Sequence, residues 1–417
     1  MPGLAPVLPN FTDLVAARGQ GAFLYDTGGR RYLDFTSGIG VTNTGHCHPR
    51  VVEAIREQAG RLLHAQINVV FQEPMIALIG ELRRVVPEGL DTFFFANGGA
   101  EAVEASVKLA RRATGRPNVI VFQGGFHGRT LGAVSLTTSK RIVRAGYQPL
   151  MAGVVPAPFP YAYRYGWAPD ATLAWCLREL RHLLETQTAP EDTAAMLVEP
   201  VLGEGGYVVP PAGFLPALRE ICDEHGILLI TDEVQTGFGR TGRFFAVEHS
   251  DTRPDILIMA KAMASGLPLS AIAARADLMA RWPAGSHGTT FGGNVLSCAA
   301  AVATIGVLRD EKLIEHAASM GERLMERLQS VQHDHPAIGD LRGLGLMVGI
   351  EFRDVAGASA GELVKRVQRT CLERGLLLLT CGYREHVIRW LPPLVATGDE
   401  IDEAVEIFTD ALRRVRS

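Results

Sequence analysis

The chain has 417 residues, 47% hydrophobic and 21% charged, with 41 Lys plus Arg against 45 Asp plus Glu and a formal charge of −4. That length suits two or three domains, and a near-neutral balance without basic blocks argues against a nucleic acid or an anionic membrane as partner. No apolar run approaches the roughly 18 residues of a membrane span, the first ten residues lack the pattern of a signal peptide, and the six cysteines are scattered without a C-x-x-C pair, as in a cytoplasmic protein with reduced thiols.

The first 20 residues, rich in Pro and Gly, read as an arm. Phe23-Leu24-Tyr25 and the group Tyr32, Leu33 and Phe35 flank a Gly-Gly turn and predict a small meander. His46 and His48 surround Cys47, but two histidines at i, i+2 without further ligands suit a local structural role better than a metal. Pro49 opens a helix with Val52, Ile55, Ala59 and Leu62 on one face. Residues 91–96 predict a strand that runs through Asn97-Gly98-Gly99-Ala100 into a helix over 101–113, with Val103, Val107 and Ala110 inward. A strand, a glycine turn and a helix N-terminus make a ready phosphate site, because free N–H groups and the dipole face the anion. Taken alone, the pattern is better explained by a plain tight βα turn, and without a following Lys-Ser/Thr it is no nucleotide P-loop.

Residues 119–122 predict a strand leading to Phe126-His127-Gly128-Arg129-Thr130, whose aromatic ring either stacks on a flat ligand or fills core. A long irregular loop over 156–169 and a helix over 170–187 follow. A buried strand over 194–198 then ends at Glu199, with Glu204 just beyond in Gly203-Glu204-Gly205-Gly206.

Two apolar runs form the centre of the chain: residues 227–231 end in Asp232-Glu233, and residues 256–260 end in Lys261. Short continuous runs of this kind suit strands buried on both faces of a parallel sheet. Ligands of open α/β sheets collect beyond the carboxyl ends of such strands, so Asp232 and Lys261 are candidates for a common crevice. A carboxylate and an amine there match the needs of pyridoxal phosphate, which takes a covalent lysine and an acidic partner for its ring nitrogen. Against this stands the ordinary fate of Asp and Lys, which is to end a strand and meet solvent. The intervening Gly237 to Gly242 fits G-x-G-x-x-G, but no convincing long helix follows and Asp232-Glu233 occupy the start of the turn, which rules out a dinucleotide fingerprint.

Residues 286–294 form a glycine turn before a long helix from Val295. Beyond 305, helices over 310–330 and 360–374 flank a strand over 344–352, short strands cover 376–380 and 387–391, and a final helix opens on the capping box Thr397-Gly398-Asp399-Glu400 with Ile401, Ala404, Val405, Phe408 and Leu412 on one face. Arg389, between Ile388 and Trp390, needs an anion or several acceptors once buried. A structural ion pair and a ligand carboxylate satisfy it equally well.

The run Thr231-Asp232-Glu233-Val234-Gln235-Thr236-Gly237-Phe238-Gly239-Arg240-Thr241-Gly242, with Lys261 downstream, resembles the class III pyridoxal-phosphate aminotransferases, the group of 4-aminobutyrate, ornithine and acetylornithine aminotransferases. The likeness extends from Asp34-Phe35 through Asn43-Thr44-Gly45-His46 to Arg389. It implies an α/β fold, PLP-dependent transferase fold type I (aspartate-aminotransferase-like). A large domain over 63–304 would surround a mostly parallel sheet, and 1–62 and 305–417 would build a smaller α+β domain. The active sites would be shared in a homodimer, with a dimer of dimers as the larger alternative.

By the same resemblance, Lys261 holds the cofactor and moves the proton at the substrate carbon, Asp232 pairs with the ring nitrogen, and Gln235 approaches the ring's phenolic oxygen. Val234 and Phe126 sandwich the ring, His127 lies beside it, and Glu199 is a supporting carboxylate. Gly99 and Ala100 hold the phosphate together with Thr290 of the partner subunit. Arg389 takes the substrate α-carboxylate, Glu204 pairs with Arg389 when that carboxylate is missing, and Arg129 and Ile39 match the 4-aminobutyrate branch. Phe126 stands where many members carry Tyr, and the turn at 97–100 has fewer hydroxyls than usual. The implied reaction passes an amino group from an ω-amino acid such as 4-aminobutyrate to 2-oxoglutarate, so the partners are a small amino donor and a keto-acid acceptor. An acetylornithine- or ornithine-type aminotransferase, or an amino-acid racemase or epimerase on the same scaffold, is the alternative.

Overall fold

The structure, a computed structural model, describes residues 3–8 and 10–416; Met1, Pro2 and Pro9 of the expected arm, and Ser417, lie outside the described residues. Seven strands form the central sheet in the order Thr92–Ala96, Ser270–Ala274, Ile256–Met259, Leu228–Asp232, Thr193–Val198, Asn118–Phe122 and Val154–Ala157. Only Ser270–Ala274 runs antiparallel to its neighbours.

The apolar runs are strands because both of their faces are covered. Val119 and Val121 enter one core cluster with Ala195, Leu197 and Ile230. Ile120 and Phe122 enter another with Met196, Val198 and Leu229, the two-residue alternation of a strand packed on both sides. Helix Gly99–Thr114 covers the first face through Val103, Leu109 and four buried small residues, Ala102, Ala105, Ser106 and Ala110. Helix Phe214–His225 covers the second through Phe214, Leu218 and Ile221. Each buried Leu or Ile adds about 1.5–3 kcal/mol over an exposed one, so the strand ends that carry Asp232 and Lys261 are anchored by strands packed on both faces. In register, Asp232 lies opposite Ile258, three residues before Lys261.

Two smaller sheets flank this one. Strands Ile338–Leu344, Met347–Phe352, Val387–Trp390 and Leu379–Cys381 form an antiparallel sheet. Strands Ala16–Gln20, Phe23–Asp26 and Arg31–Asp34 join Leu376–Leu377, which runs parallel to Arg31–Asp34 and so ties the two ends of the chain together. Helix Gly398–Arg416 buries Ile401, Ala404, Val405, Phe408 and Leu412, and Thr397 and Glu400 exchange the two hydrogen bonds of the capping box at 2.7 and 3.3 Å.

Several local expectations fail. Residues 156–169 are not one loop: they begin in the edge strand Val154–Ala157 and contain the helical turn Ala162–Tyr165. The strand expected over 344–352 is a hairpin, Ile338–Leu344 and Met347–Phe352, turning at Gly345 with φ +53°. The strand expected over 376–380 breaks at Leu378, and its halves join different sheets. Helix Pro49–Arg61 buries Val51 and Gln58 and leaves Ala59 and Leu62 exposed, because it packs on helix Val295–Asp310 along a neighbouring stripe. Strand Ser270–Ala274 escapes notice in the sequence because its only large side chain is Ile272. Among the described residues, no helix is long and apolar enough to cross a membrane and no acidic, His and Cys cluster could hold a metal. His46 instead bonds Asp34 at 2.8 Å.

Candidate active site

A cavity of about 380 Å³ opens at the carboxyl ends of the central strands. Its walls include Gly99, Ala100, Phe126, His127, Glu199, Glu204, Asp232, Val234, Gln235 and Lys261, ten residues that the sequence reading singled out. They come from five strand ends and the turns that follow them, the crevice that an open parallel sheet provides.

At one end lies the start of helix Gly99–Thr114. Glu101 Oε2 takes the N–H groups of Asn97 and Gly98 at 2.6 and 3.3 Å, which leaves the first-turn N–H groups of Gly99 and Ala100 for an anion at the positive end of the dipole. A Cβ on Gly99 would stand 3.1 Å from Val234 Cγ1, so glycine is what lets Val234 approach the turn. Gly128, at φ +130°, packs even closer: a Cβ there would lie 2.6 Å from that of Ala100.

Asp232 ends its strand nearly fully buried. Its Oδ1 accepts the Val234 N–H at 3.0 Å, and its Oδ2 lies 2.8 Å from His127 Nδ1. Facing a carboxylate, His127 carries its proton on Nδ1 and donates it. Glu199 accepts the N–H of Phe126 at 2.7 Å and that of Gly203 at 2.9 Å, so one carboxylate ties together the turns on two sides of the cavity. Burial pushes the Glu199 carboxyl up to about 7; His127 opposes that shift and Asp232 adds to it. Gln235 is buried with Oε1 lacking a hydrogen-bond partner, which leaves its amide free for a polar group in the cavity.

Lys261 is half-buried and begins the turn Lys261–Ala264 at φ +45°, an unfavourable backbone for a side chain of its size. Burial lowers its amine below the usual lysine range, Glu204 and Asp232 pull the other way, and Arg389 pushes it further down. Glu204 forms an ion pair with Arg389, which is buried in strand Val387–Trp390. Burial alone would raise the Glu204 carboxyl, but the guanidinium overrides it and holds the carboxyl low.

Four expected residues stand apart from this cavity. Arg389 does not line it, since Glu204 intervenes. Arg129 is exposed, its guanidinium 5.7 Å from the Phe126 ring centre. Ile39 is 42% exposed and sits in a left-handed turn with φ +69°. Thr290 is exposed and lines no part of its own chain's cavity. Conversely, Val41 and residues 266–269 line the cavity without having been expected. Val41 carries no sequence signal, while Gly266, at φ +131° just after Lys261, offers a weak one.

Free first-turn amides, the apolar Phe126 and Val234 in the cavity wall, a buried carboxylate and an amine fit a flat, phosphorylated heterocycle that bonds to lysine. Pyridoxal 5′-phosphate has that shape and chemistry. The profile of the Aminotransferase class-III family matches residues 7–412. The chain is 40% identical to the 5-aminovalerate aminotransferase of Pseudomonas aeruginosa, over 95% of this chain and 93% of that one. It is 42% identical to the acetylornithine aminotransferase of Archaeoglobus fulgidus, over 96% and 97% of the two chains. An amine transaminase from an uncultivated Pseudomonas species, solved with PLP bound, superposes with a TM-score of 0.90 at 32% identity, covering 99% of this chain and 98% of that one.

Proposed function

Because the chain belongs to the class-III aminotransferases, PLP-dependent enzymes of fold type I, we propose that it moves the amino group of an ω-amino acid of the 4-aminobutyrate type to 2-oxoglutarate. The observation that carries this choice is the Glu204–Arg389 ion pair at the edge of the Lys261 cavity. One site must accept a donor without an α-carboxylate and then an acceptor that has one. With the donor bound, Glu204 neutralises Arg389; the keto acid brings its own carboxylate, which takes the guanidinium while the Glu204 side chain turns aside. A buried Arg left alone would be costly, so the pair supplies an anion in each half of the reaction. The 5-aminovalerate relative supports a donor of this kind.

When bound, PLP supplies a carbonyl that takes the amino group and a protonated ring that accepts electrons from the substrate carbon. Gly99 and Ala100 would hold its phosphate through their N–H groups, with Thr290 of the partner subunit, and Phe126 and Val234 would flank the ring. The Asp232 carboxylate accepts the Val234 N–H and faces His127 Nδ1, so its position is fixed and its negative charge would raise the proton affinity of a ring nitrogen beside it. Gln235 would bond the phenolic oxygen with its free amide. Lys261 Nζ, its pKa lowered by burial, has a neutral fraction that can act as nucleophile and carry a proton to and from the substrate carbon.

The test is a donor panel with 2-oxoglutarate, following glutamate formation. The reading predicts that 4-aminobutyrate or 5-aminovalerate outperforms N-acetylornithine and ornithine. A preference for acetylornithine would sink the ω-amino-acid choice, and interconversion of enantiomers without any keto acid would sink amino transfer as the main activity.

A further inference from the structure

The turn that carries Glu204 is held from outside the cavity. Arg342, on strand Ile338–Leu344 of the C-terminal sheet, donates Nε and Nη2 to the Gly206 carbonyl oxygen at 3.1 and 2.6 Å. Just past strand Leu379–Cys381 of the same sheet, Gly382 donates its N–H to the carbonyl oxygen of Glu204 itself at 3.0 Å. Gly206 and Tyr207 close the turn on the Gly203 carbonyl at 3.1 and 3.2 Å, and Glu199 takes the Gly203 N–H. The Glu204 backbone is thus fastened to the sheet that bears Arg389 through its own carbonyl and that of Gly206, and to Glu199 through the Gly203 N–H.

Arg342 is itself immobilised. Nη1 bonds Asp340 at 2.5 Å, and Nη2 lies 2.7 Å from the Tyr161 hydroxyl and 2.6 Å from Glu351. Tyr161 donates to that same carboxylate, and His386 lies 3.1 Å from its other oxygen. A guanidinium held at several N–H groups is a rigid fork. Gly206, at φ +130°, lets it come close, since a Cβ there would stand 3.2 Å from Nη2. Neither Arg342 nor its anchors line the cavity.

We propose that Arg342 is a positioning residue for the Glu204 carboxylate. By holding the Gly206 carbonyl it fixes the reach from the Glu204 backbone to the Arg389 guanidinium, so the change between half-reactions is a rotation of the Glu204 side chain over a stationary main chain. This rests on the two-carboxylate-mode reading above, and it makes the two half-reactions unequal. A donor without an α-carboxylate needs Glu204 in place, whereas a substrate that has one displaces Glu204 and needs only Arg389. Loosening the turn therefore harms the first and spares the second.

The experiment compares the holoenzyme with Arg342→Met, Glu204→Gln and the double variant. Each half-reaction is followed separately in single turnovers, with 4-aminobutyrate and with glutamate, and binding of the dicarboxylate glutarate is measured by calorimetry. Arg342→Met should lose about tenfold in kcat/KM with 4-aminobutyrate, the order expected for one misplaced charge-assisted contact, and change by less than about twofold with glutamate. It should bind glutarate as tightly as wild type or tighter, and should cause no further loss in the Glu204→Gln background. Equal losses in both half-reactions, additive losses on Glu204→Gln, or weaker glutarate binding overturn the proposal. Should Arg342→Met not fold, Arg342→Lys, which keeps the charge but not the fork, must show the same split at smaller size. Should wild type use no ω-amino donor, the reading of the reaction fails, and glutarate binding still judges Arg342 by itself.

Discussion

Gly128→Ala tests how tightly the Phe126–Arg129 turn is packed against the phosphate end of the cavity. The new methyl would sit 2.6 Å from the Ala100 Cβ, 2.8 Å from the Ala133 Cβ and 3.1 Å from the Ala100 Cα. Backbone or fixed methyl groups make up all three contacts, so no flexible side chain can yield. Holding a non-glycine residue at φ +130° costs about 1–3 kcal/mol, and forcing a methyl into a packed contact costs about 1–3 kcal/mol more. The sum, roughly 2–6 kcal/mol, is a large share of an ordinary folding stability of about 5–15 kcal/mol. Gly115→Ala is the control: it also has positive φ, at +72°, but nothing stands within 4 Å of its Cβ, so it should cost only about 1 kcal/mol. Chemical denaturation of the three proteins without cofactor gives the stabilities, and equilibrium titration with PLP gives the affinities. Because Ala100 is pushed along with the turn, Gly128→Ala should also bind PLP at least about tenfold more weakly, while Gly115→Ala binds it as wild type does. A Gly128→Ala protein within 1 kcal/mol of Gly115→Ala, with unchanged PLP affinity, would refute this account of the turn.

Lys261→Ala should abolish the absorbance of lysine-bound PLP and reduce turnover by at least about a thousandfold, as loss of a covalent nucleophile does; a variant that keeps both would remove Lys261 from the chemistry. Glu199 holds its proton more tightly in the folded chain, with its carboxyl near 7 against an ordinary 4.5. The stabilisation from that proton is complete below the ordinary value and is lost as pH rises through about 7. Glu199→Gln should therefore flatten the decline in stability between about pH 4.5 and 7, by up to about 3 kcal/mol, as read from urea midpoints across that range. Ile39 is β-branched and sits at φ +69° between Gly38 at +60° and Gly40 at +74°. Ile39→Asn should raise stability by about 1 kcal/mol by relieving that strain while changing donor preference, and thermal denaturation beside the donor panel checks both. The homodimer expected from the resemblance predicts twice the chain mass by light scattering.

How legible each part of this protein was follows from how far apart its determinants lie along the chain. The central strands announce themselves because burial on both faces writes a continuous apolar run, as in Ile256–Met259, and the charged residue that ends each run marks the crevice. The glycine turn at 98–99 is legible for a similar reason: strand Thr92–Ala96, turn and helix Gly99–Thr114 follow one another without interruption. Ser270–Ala274 shows the limit of this signal. It is buried throughout, but between two neighbours in a sheet small side chains suffice, and small side chains announce nothing. The Val52, Ile55, Ala59 stripe was misplaced because helix periodicity fixes a face only to within a residue, and the partner helix Val295–Asp310 decides between adjacent stripes. Arg342 was invisible for a deeper reason. It meets Gly206 across 136 positions and acts on a carbonyl oxygen, a group every residue has. Cofactor-binding groups must be particular side chains at particular places, so they leave motifs, whereas groups that hold the backbone of a neighbouring turn can act on any residue there. If Arg342 sets the reach of Glu204, the substrate range of this enzyme depends partly on residues that no motif around Lys261 contains, and relatives alike in every cavity side chain can still differ in the donors they accept.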